Sequence, residues 1–317
     1  MKAIRFHAYK ETPVIEDAPV PEIGPDEVLI RVQAAALNPL DALLVSGLAA
    51  NFFSVAFPHT LASDFAGVVE RVGASVTRWN AGDHVIVGAD PAVGGGLAEF
   101  AAVPAEACVA LPLNLSAAEG AGIPIAGGTA WHALFSAARL QANETVLIHG
   151  AAGGVGTFAV QFAAKAGARV IATASGDGVD LVRSLGAHQV IDYRLEDFRT
   201  VVSDVDVVLD LVGGDTQVRS YDVMRRGGRL VATTFPPDAA MAEAHGVSAS
   251  MFYAKPYADR LGAVVDAIRS QGVRVVIDRI AAFTAFHDAW ARLTSGRARG
   301  KVMISDVPTS RMAARER

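Results

Sequence analysis

A buried strand that runs into a glycine-rich turn and then into a helix constrains this fold more than any other sequence feature. The strand reads TVLIHG at 145–150, and a helical stretch follows the turn to about residue 166. In the turn, Gly153 lets the backbone approach a pyrophosphate, and Gly156 lets the helix pack on the strand. The helix N-terminus adds unpaired N–H groups and a positive dipole end. We therefore predict a dinucleotide site at Ala151, Ala152, Gly153, Gly154, Val155 and Gly156.

The match to the dinucleotide pattern is incomplete, because Ala151 stands at the position of its first glycine. A glycine-rich turn in some other α/β fold is the alternative interpretation. Placement of the turn within a whole strand–helix–strand unit favours the dinucleotide site.

The sequence on both sides of this turn divides into two patterns. Up to about residue 113, short apolar runs separated by Gly, Pro and Asp predict an antiparallel sheet or barrel, with strands at 28–37, 65–73, 83–89 and 97–103. From about residue 120 a parallel doubly wound sheet is predicted. Its strands are expected at 145–150, 168–174, 189–191, 205–212 and 229–234, and its helices at about 154–166, 179–185, 195–202 and 216–226. Beyond it we expect a helix at 256–270, a strand near 273–283, a helix at 284–293, a strand at 301–305 and a frayed tail at 307–317.

Composition excludes several classes of protein. Of the 317 residues, 51% are hydrophobic and 19% charged, and the net charge of −5 argues against nucleic acid and anionic membranes as partners. The single cysteine, Cys108, excludes an intrachain disulfide and a multi-cysteine metal site. The two long stretches without charged residues, 42–63 and 145–164, do not have the composition of a membrane helix. The first residues of the sequence lack the apolar run of a signal peptide. We expect a cytoplasmic protein.

The residues after the second strand of the parallel sheet bear on the choice of dinucleotide. Sites for NAD usually place a carboxylate there to bind the ribose 2′-OH, but this strand ends at Ser175. A small hydroxyl residue leaves room for a 2′-phosphate, and Tyr193 and Arg194 follow the neighbouring strand. Asp177 argues the other way, because its carboxylate would repel a phosphate. NADP(H) is the favoured cofactor and NAD(H) the alternative.

Segments along nearly the whole chain are those of a known family. They are AAALNPLD (34–41), ASDFAGVVERVGASVTRWNAGDHV (62–85), GGTAWHAL (127–134), IHGAAGGVG (148–156), VRSLGAHQVIDYR (182–194), LDLVGG (209–214), RRGGRLV (225–231) and SGRARGKVMI (295–304). The chain resembles the zinc-independent quinone oxidoreductases, which include zeta-crystallin, of the medium-chain dehydrogenase/reductase superfamily.

The resemblance implies an α/β protein of two domains and a particular set of site residues. A GroES-like β-barrel-type catalytic domain would span 1–118, completed by about 256–317, and a Rossmann dinucleotide-binding domain would span 119–255. The resemblance also implies NADPH as hydride donor, an active site in a cleft between the domains, and a homodimer. By the same resemblance, Asn38 and Thr129 lie at the nicotinamide, Ser175 and Tyr193 contact the 2′-phosphate, and Lys301 lies near the cofactor.

The positions that hold catalytic zinc in related enzymes carry other residues here. The Gly-His-Glu element of those enzymes aligns with Ala62, Ser63 and Asp64, and their cysteine-bearing loop aligns near Asn38. His59 alone is a poor substitute, and we interpret it as an ordinary loop histidine. Without a Lewis acid, the substrate itself must spread the incoming charge, as quinones and α,β-unsaturated carbonyls do by conjugation.

The expected function is therefore NADPH-dependent, metal-free transfer of hydride to a quinone, a small hydrophobic conjugated substrate. Asn38 and backbone N–H groups would bind the developing oxyanion, and the proton would come from water. Several relatives carry a tyrosine where this chain has Leu43, so no tyrosine proton donor is carried over. A reductase of enals and enones, a non-catalytic NADPH-binding sensor and, more remotely, a zinc alcohol dehydrogenase remain alternatives.

Other candidate residues have structural interpretations. The apolar segment 51–57 would line an acceptor pocket or belong to the barrel core. Trp131, at a predicted helix start, would pack in the core, and His132 would be a surface or hydrogen-bonded histidine. Asp41 and Asp64 would fix local turns through side-chain hydrogen bonds.

Overall fold

The computed structural model describes residues 1–252 and 258–307, with side chains at 258–260 excepted. The chain divides into two compact units. Of the described residues, unit 1 holds 1–125, 258–265 and 277–307, and unit 2 holds 126–252 and 266–276. The domain limits drawn from the resemblance, 1–118 with about 256–317 and 119–255, remain a proposal, and 253–257 and 308–317 lie outside the described residues.

Unit 1 begins with antiparallel strands and two short helices. The strands are β1 (Lys2–Phe6), β2 (Val14–Asp17), β3 (Glu27–Leu37), β4 (His59–Thr60), β5 (Asp64–Val72), β6 (His84–Gly88), β7 (Phe100–Pro104) and β8 (Cys108–Ala110). The helices are α1 (Pro39–Ser46) and α2 (Ala117–Ala121). The four strands that the sequence predicts in this region are confirmed, with their ends moved by up to three residues.

Unit 2 is built on six parallel strands, preceded by α3 (Pro124–Trp131). The strands are β9 (Thr145–His149), β10 (Arg169–Ala174), β11 (Gln189–Asp192), β12 (Val205–Asp210), β13 (Met224–Ala232) and β14 (Ser248–Met251). The helices between them are α4 (Gly154–Lys165), α5 (Asp177–Ser184), α6 (Asp215–Ser220) and α7 (Ala239–His245). The sheet order β11-β10-β9-β12-β13-β14 confirms the doubly wound parallel sheet.

Strand β9 lies inside this sheet, and its composition agrees with that position. Val146, Leu147 and Ile148 are fully buried, as an uninterrupted apolar run requires when helices cover both faces of a parallel sheet. The strand order reverses at β9, with β10 on one side and β12 on the other. Ligands of such sheets bind at the carboxyl ends of the strands at this reversal.

Four further elements follow in chain order. They are α8 (Ala258–Gln271), β15 (Ile277–Ala282), α9 (Phe286–Thr294) and β16 (Lys301–Ser305). In unit 1 the larger sheet has the order β15-β16-β3-β5-β6-β8, with β7 also paired to β3, and the smaller sheet has the order β2-β1-β4. Strand β16 runs antiparallel to β3, with Val302 opposite Leu37. This register brings Lys301 to the end of β3, immediately before α1.

One predicted helix is wrong, and another is shorter than predicted. At 195–202 the chain forms only a 3₁₀ turn, Phe198–Thr200, because the Asp197 side chain accepts hydrogen bonds from the backbone and guanidinium of Arg199 and competes with a helix. At 216–226 helix α6 ends at Ser220, and β13 already begins at Met224, which pairs with Val205. The sheet continues through Gly227-Gly228, where a helix would be disfavoured.

The weakly patterned segment after residue 234 contains two elements that the sequence did not predict, α7 and β14. Asp238 caps α7 by accepting hydrogen bonds from two backbone N–H groups, a signal that the sequence does contain. In the described part of the chain, no helix combines the length and apolar character needed to cross a membrane. The predicted tail at 307–317 falls outside the described residues except for Val307, which is buried.

Candidate active site

The predicted phosphate turn joins β9 to α4 in unit 2. Gly153 caps α4 at its N-terminus, Gly154 and Val155 form its first turn, and Ala151 and Ala152 are buried. A Cβ atom on Gly156 would lie within 3.0 Å of backbone atoms of Gly150 and Ala151. Glycine is therefore required for the helix to approach the turn this closely.

The neighbouring strand ends present hydroxyl groups beside this turn. The N–H of Ala151 donates to the carbonyl of Thr173 in β10 at 3.1 Å, which joins the turn to the next strand. Ser175, which follows β10, is buried, and its hydroxyl donates to the Tyr193 hydroxyl at 2.9 Å. The Tyr193 side chain is 58% exposed. The structure thus brings the turn, Ser175 and Tyr193 to three adjacent strand ends.

Two carboxylates lie at the same edge, and the sequence analysis considered only one of them. Asp177 is exposed at the first residue of α5. Asp192, the last residue of β11, accepts hydrogen bonds from the backbone N–H groups of Gly176 (3.2 Å) and Arg194 (3.0 Å). Because the N–H groups occupy its oxygens, Asp192 fixes the loop, whereas Asp177 leaves a negative charge in solvent.

Beneath the phosphate turn lies a buried polar group that the sequence analysis missed. His149, at the end of β9, is hydrogen-bonded through Nδ1 to the Thr173 hydroxyl and through Nε2 to the Ser220 hydroxyl, both at 3.0 Å. Ser220 also donates to the carbonyl of Thr216 at 2.7 Å, so it accepts from His149. Burial lowers the pKa of His149 to about 4. The imidazole is neutral at pH 7, and it links β9 to β10 and to α6.

Thr129 is buried in α3, in unit 2. Trp131 ends α3 and does not start a helix as predicted, but it packs edge-on against Phe135 and Phe162, which confirms its packing role. His132 opens a π-helical segment, His132–Ala137. It is buried rather than at the surface, and its Nδ1 lies 3.1 Å from the Ser136 hydroxyl.

In unit 1, the structure brings Asn38 and Lys301 together with Asp64. Lys301 Nζ donates to Asn38 Oδ1 at 2.5 Å, and Asn38 Nδ2 donates to Asp64 Oδ2 at 3.0 Å. The ammonium lies 3.6 Å from the same carboxylate oxygen. All three side chains are at least 97% buried. We call these three residues the Asn38–Asp64–Lys301 cluster.

Ionisation within the cluster is governed by burial and pairing. Burial raises the pKa of Asp64 and lowers the pKa of Lys301, while their mutual attraction opposes both changes. An unpaired charge at this depth would be strongly destabilising, so the charged form of each group depends on the other, whose nearest atom lies 3.6 Å away. The Ile125 N–H, which also donates to Asp64, adds to the stabilisation of the carboxylate.

Asp41 supports the cluster from helix α1. Its carboxyl group accepts from the N–H of Asn38 at 2.7 Å and from the N–H of Ala62 at 3.2 Å, which confirms its predicted role in fixing a turn. Burial raises the pKa of Asp41 to about 7. The corresponding prediction for Asp64 is wrong, because its partners lie 26 or more residues away along the chain.

The apolar segment 51–57 has no single role. Val55 belongs to the core of unit 1 and Phe53 packs against it. By contrast, Phe52 is 80% exposed and Phe57 is 42% exposed. Leu43 is also exposed on α1. The core interpretation therefore holds for part of the segment only.

Comparisons with known proteins agree with this architecture. Residues 24–113 match the family model described as "Alcohol dehydrogenase GroES-like domain", and residues 185–304 match the one described as "Zinc-binding dehydrogenase". A chloroplast envelope quinone oxidoreductase homolog of Arabidopsis thaliana is 33% identical over 304 residues, which are 90% of this chain and 92% of that protein.

Solved structures extend the likeness to the whole fold. The quinone oxidoreductase from Coxiella burnetii has a TM-score of 0.89 at 32% identity and covers 96% of this chain and 99% of its own. A mycobacterial protein solved as a complex with NADPH has a TM-score of 0.87 at 27% identity, with coverage of 96% and 99%. A GroES-like domain and a Rossmann-type sheet in one chain define the medium-chain dehydrogenase/reductase superfamily. Within it, this chain belongs to the quinone oxidoreductase family, which confirms the resemblance.

The zinc in the name of one matched family does not fit the side chains of unit 1. Asn38 Oδ1 already accepts from the Lys301 ammonium, and that cation, close to Asp64, would repel a metal ion. His59 is buried in β4 and packs edge-on against the Phe6 ring. Within residues 1–252 and 258–307, no three His, Cys, Asp or Glu side chains are grouped so that they could hold a metal.

Proposed function

We propose that this chain is an NADPH-dependent oxidoreductase that passes a hydride to a quinone without a metal ion. The observation that carries the proposal is the glycine turn between β9 and α4, next to the Ser175–Tyr193 hydroxyl pair. The N-terminus of the twelve-residue helix α4, which packs on the turn with no room for a Cβ atom at Gly156, is suited to a pyrophosphate.

The two hydroxyl groups account for the preference for NADP(H). Tyr193 can donate to a ribose 2′-phosphate, and so can Ser175 once its hydroxyl hydrogen turns from Tyr193 to the phosphate. No carboxylate stands at the Ser175 position. The structural likeness to a mycobacterial protein solved with NADPH supports this choice of cofactor. Residues Ala151 to Gly156 would bind the pyrophosphate, and Thr129 and Lys301 would lie near the nicotinamide.

The acceptor would be bound at Asn38. When bound, the reduced nicotinamide supplies the hydride, and the acceptor must then carry the added negative charge until it is protonated. Asn38 Nδ2 has one hydrogen committed to Asp64 and a second hydrogen that can bind the acceptor oxygen. A conjugated acceptor is favoured because it delocalises this charge, and the named quinone oxidoreductases among the relatives support a quinone. Water would supply the proton, since Leu43 offers none.

Cellular location and assembly stay at the level of proposals. We propose a cytoplasmic homodimer acting on a small hydrophobic substrate, as the resemblance implies. Analytical ultracentrifugation of the purified chain would test the dimer.

The experiment that tests the function is a comparison of acceptors and cofactors. Oxidation of NADPH would be followed by its ultraviolet absorbance with 1,4-benzoquinone and, in parallel, with 2-hexenal. Dissociation constants for NADPH and NADH would be measured by fluorescence titration, and bound metal by mass spectrometry. We expect turnover of the quinone, tighter binding of NADPH than of NADH, and activity without stoichiometric metal.

Each contrary result would point to one of the alternatives. Turnover of the alkenal alone would replace the quinone by an enal or enone. Tight NADPH binding with no turnover of either acceptor would indicate a sensor. About one zinc per chain would contradict the metal-free mechanism, and equal or tighter binding of NADH would contradict the roles of Ser175 and Tyr193.

A further inference from the structure

The cation in the Asn38–Asp64–Lys301 cluster is unusual in its position. Lysine side chains are among the least often buried, yet Lys301 is 97% buried at the start of β16. Its ammonium makes its shorter contact with a neutral amide oxygen, at 2.5 Å, and lies 3.6 Å from the Asp64 carboxylate. Packing alone does not require a charged group here, because an apolar side chain of similar volume would avoid the desolvation of the ammonium.

The hydrogen bonds of the cluster orient its donors. Since Asn38 Oδ1 accepts from Lys301, the amide nitrogen is turned to Asp64. One of the three N–H groups of Lys301 and one of the two on Asn38 Nδ2 have no protein acceptor among the residues described. The cluster therefore holds a positively charged and a neutral donor in fixed positions on neighbouring side chains.

A lysine from β16, a strand far away in the sequence, places its ammonium against Asn38 and Asp64. A fixed cation beside the atom where negative charge develops stabilises a transition state much as a Lewis acid does.

We propose that the Lys301 ammonium orients Asn38 and stabilises the oxyanion that forms when the acceptor receives the hydride. This inference rests on the proposed function, because it places the acceptor oxygen at Asn38. It goes further in assigning to Lys301 a role in the chemical step, beyond proximity to the cofactor. No bond to Lys301 is formed or broken, and the proton of the product comes from water.

The test separates charge from folding by means of a double variant. Lys301→Met leaves Asp64 buried without its partner and is expected to lower both the melting temperature and kcat. In Lys301→Met/Asp64→Asn neither charge remains, and we expect the melting temperature to recover. We expect kcat with 1,4-benzoquinone to remain about 100-fold or more below that of the native chain, the usual effect of removing an oxyanion donor.

Three further measurements make the test specific. The dissociation constant for NADPH, measured by titration without acceptor, should change far less than kcat. Lys301→Arg should restore part of kcat, and the loss in the double variant should be larger for 2-hexenal than for benzoquinone, which disperses its charge better. Lys10→Met, which removes an exposed lysine of unit 1, serves as the matched control and should leave kcat unchanged.

The outcomes distinguish this inference from the function on which it rests. If the native chain turns over no conjugated acceptor, the proposed function is wrong, and the inference fails with it. If the native chain is active and the double variant recovers both its melting temperature and its kcat, Lys301 is purely structural, and only the inference is overturned. A fall in NADPH affinity as large as the fall in kcat would also overturn it, since Lys301 would then act by binding cofactor.

Discussion

Lys301 Nζ lies 2.5 Å from Oδ1 of Asn38, a residue 263 positions earlier in the chain. The contact exists because β16 pairs with β3, which sets the first residue of the one strand next to the last residue of the other. One strand register therefore determines the orientation of the amide that we propose to bind the acceptor.

The close packing of α4 on the phosphate turn makes Gly156→Ala a sharp test of that turn. The added methyl group would collide with the backbone of Gly150 and Ala151. We expect a loss of about 1–3 kcal/mol in the free energy of unfolding, measured in urea, together with weaker binding of NADPH. Gly262→Ala in α8 is the control, since a Cβ there has no neighbour within 4 Å; it should stabilise by up to about 1 kcal/mol and leave NADPH binding unchanged. Unchanged NADPH affinity in Gly156→Ala would contradict the proposed pyrophosphate site.

Cofactor preference should depend on the hydroxyl pair at the ends of β10 and β11. Ser175→Ala and Tyr193→Phe each remove a donor to the 2′-phosphate, and we expect each to weaken NADPH binding about tenfold or more. NADH binding should hardly change, because NADH lacks that phosphate. Tyr9→Phe, a matched change in unit 1, should affect neither cofactor. Asp177→Asn is expected to strengthen NADPH binding, and equal losses for both cofactors in the hydroxyl variants would argue for a general structural effect.

The buried histidine beneath the turn should make the protein sensitive to acid. The pKa of His149 is about 4 in the folded state against an ordinary 6.5, so the unfolded chain takes up the proton first. The neutral His149 therefore contributes to the free energy of unfolding above pH 6.5. This contribution, about 3 kcal/mol in all, is lost as the pH falls towards 4. His149→Gln should flatten this part of the pH profile of the unfolding free energy. His84→Gln, at an exposed histidine, should leave the profile as it is; an identical slope in both variants would exclude His149 as the cause.

Asp41 should act in the opposite direction over nearly the same range. Its pKa is raised from 3.8 to about 7, so the folded state holds a proton that the unfolded chain releases. Its effect is to reduce stability as the pH rises from about 4 to 7, by roughly 4 kcal/mol in all. Asp41→Asn cannot ionise and should remove this decline, although one of the two backbone hydrogen bonds is weakened. Urea unfolding between pH 4 and 8 checks the prediction, and a decline that persists in the variant would contradict it.

What could be predicted from the sequence depended on how local each feature is. The strand, turn and helix at 145–166 lie within one segment, and the alternation of apolar runs beyond it sufficed for the parallel sheet. The helix predicted at 195–202 failed because one side chain, Asp197, holds the backbone in a turn, and hydrophobic periodicity does not report such competition. The helix expected to reach 226 forms but ends at Ser220, because strand pairing at Met224 took precedence over local propensity.

The candidate site depends even more on contacts between residues far apart in the sequence, which local patterns do not predict. Asn38 and Lys301 could be named from the sequence only through a family resemblance, since nothing in the spacing of two residues so far apart indicates contact. Asp64 was assigned a local turn because its partners, the Asn38 side chain and the Ile125 backbone, are supplied by the tertiary fold. The His149–Ser220 contact was missed for a similar reason, because it joins residues 71 positions apart.

The late position of β16 has a consequence for how this chain is made. During translation the segment from β9 to β14 leaves the ribosome as one piece and can form its sheet while the chain is still growing. By contrast, more than two hundred further residues must be synthesised after Asp64 before the ammonium of Lys301 is present. Until then, β3 and β5 cannot bury this carboxylate with its counter-ion. A nascent chain stopped before residue 301 should consequently hold a folded nucleotide unit attached to an unfinished barrel.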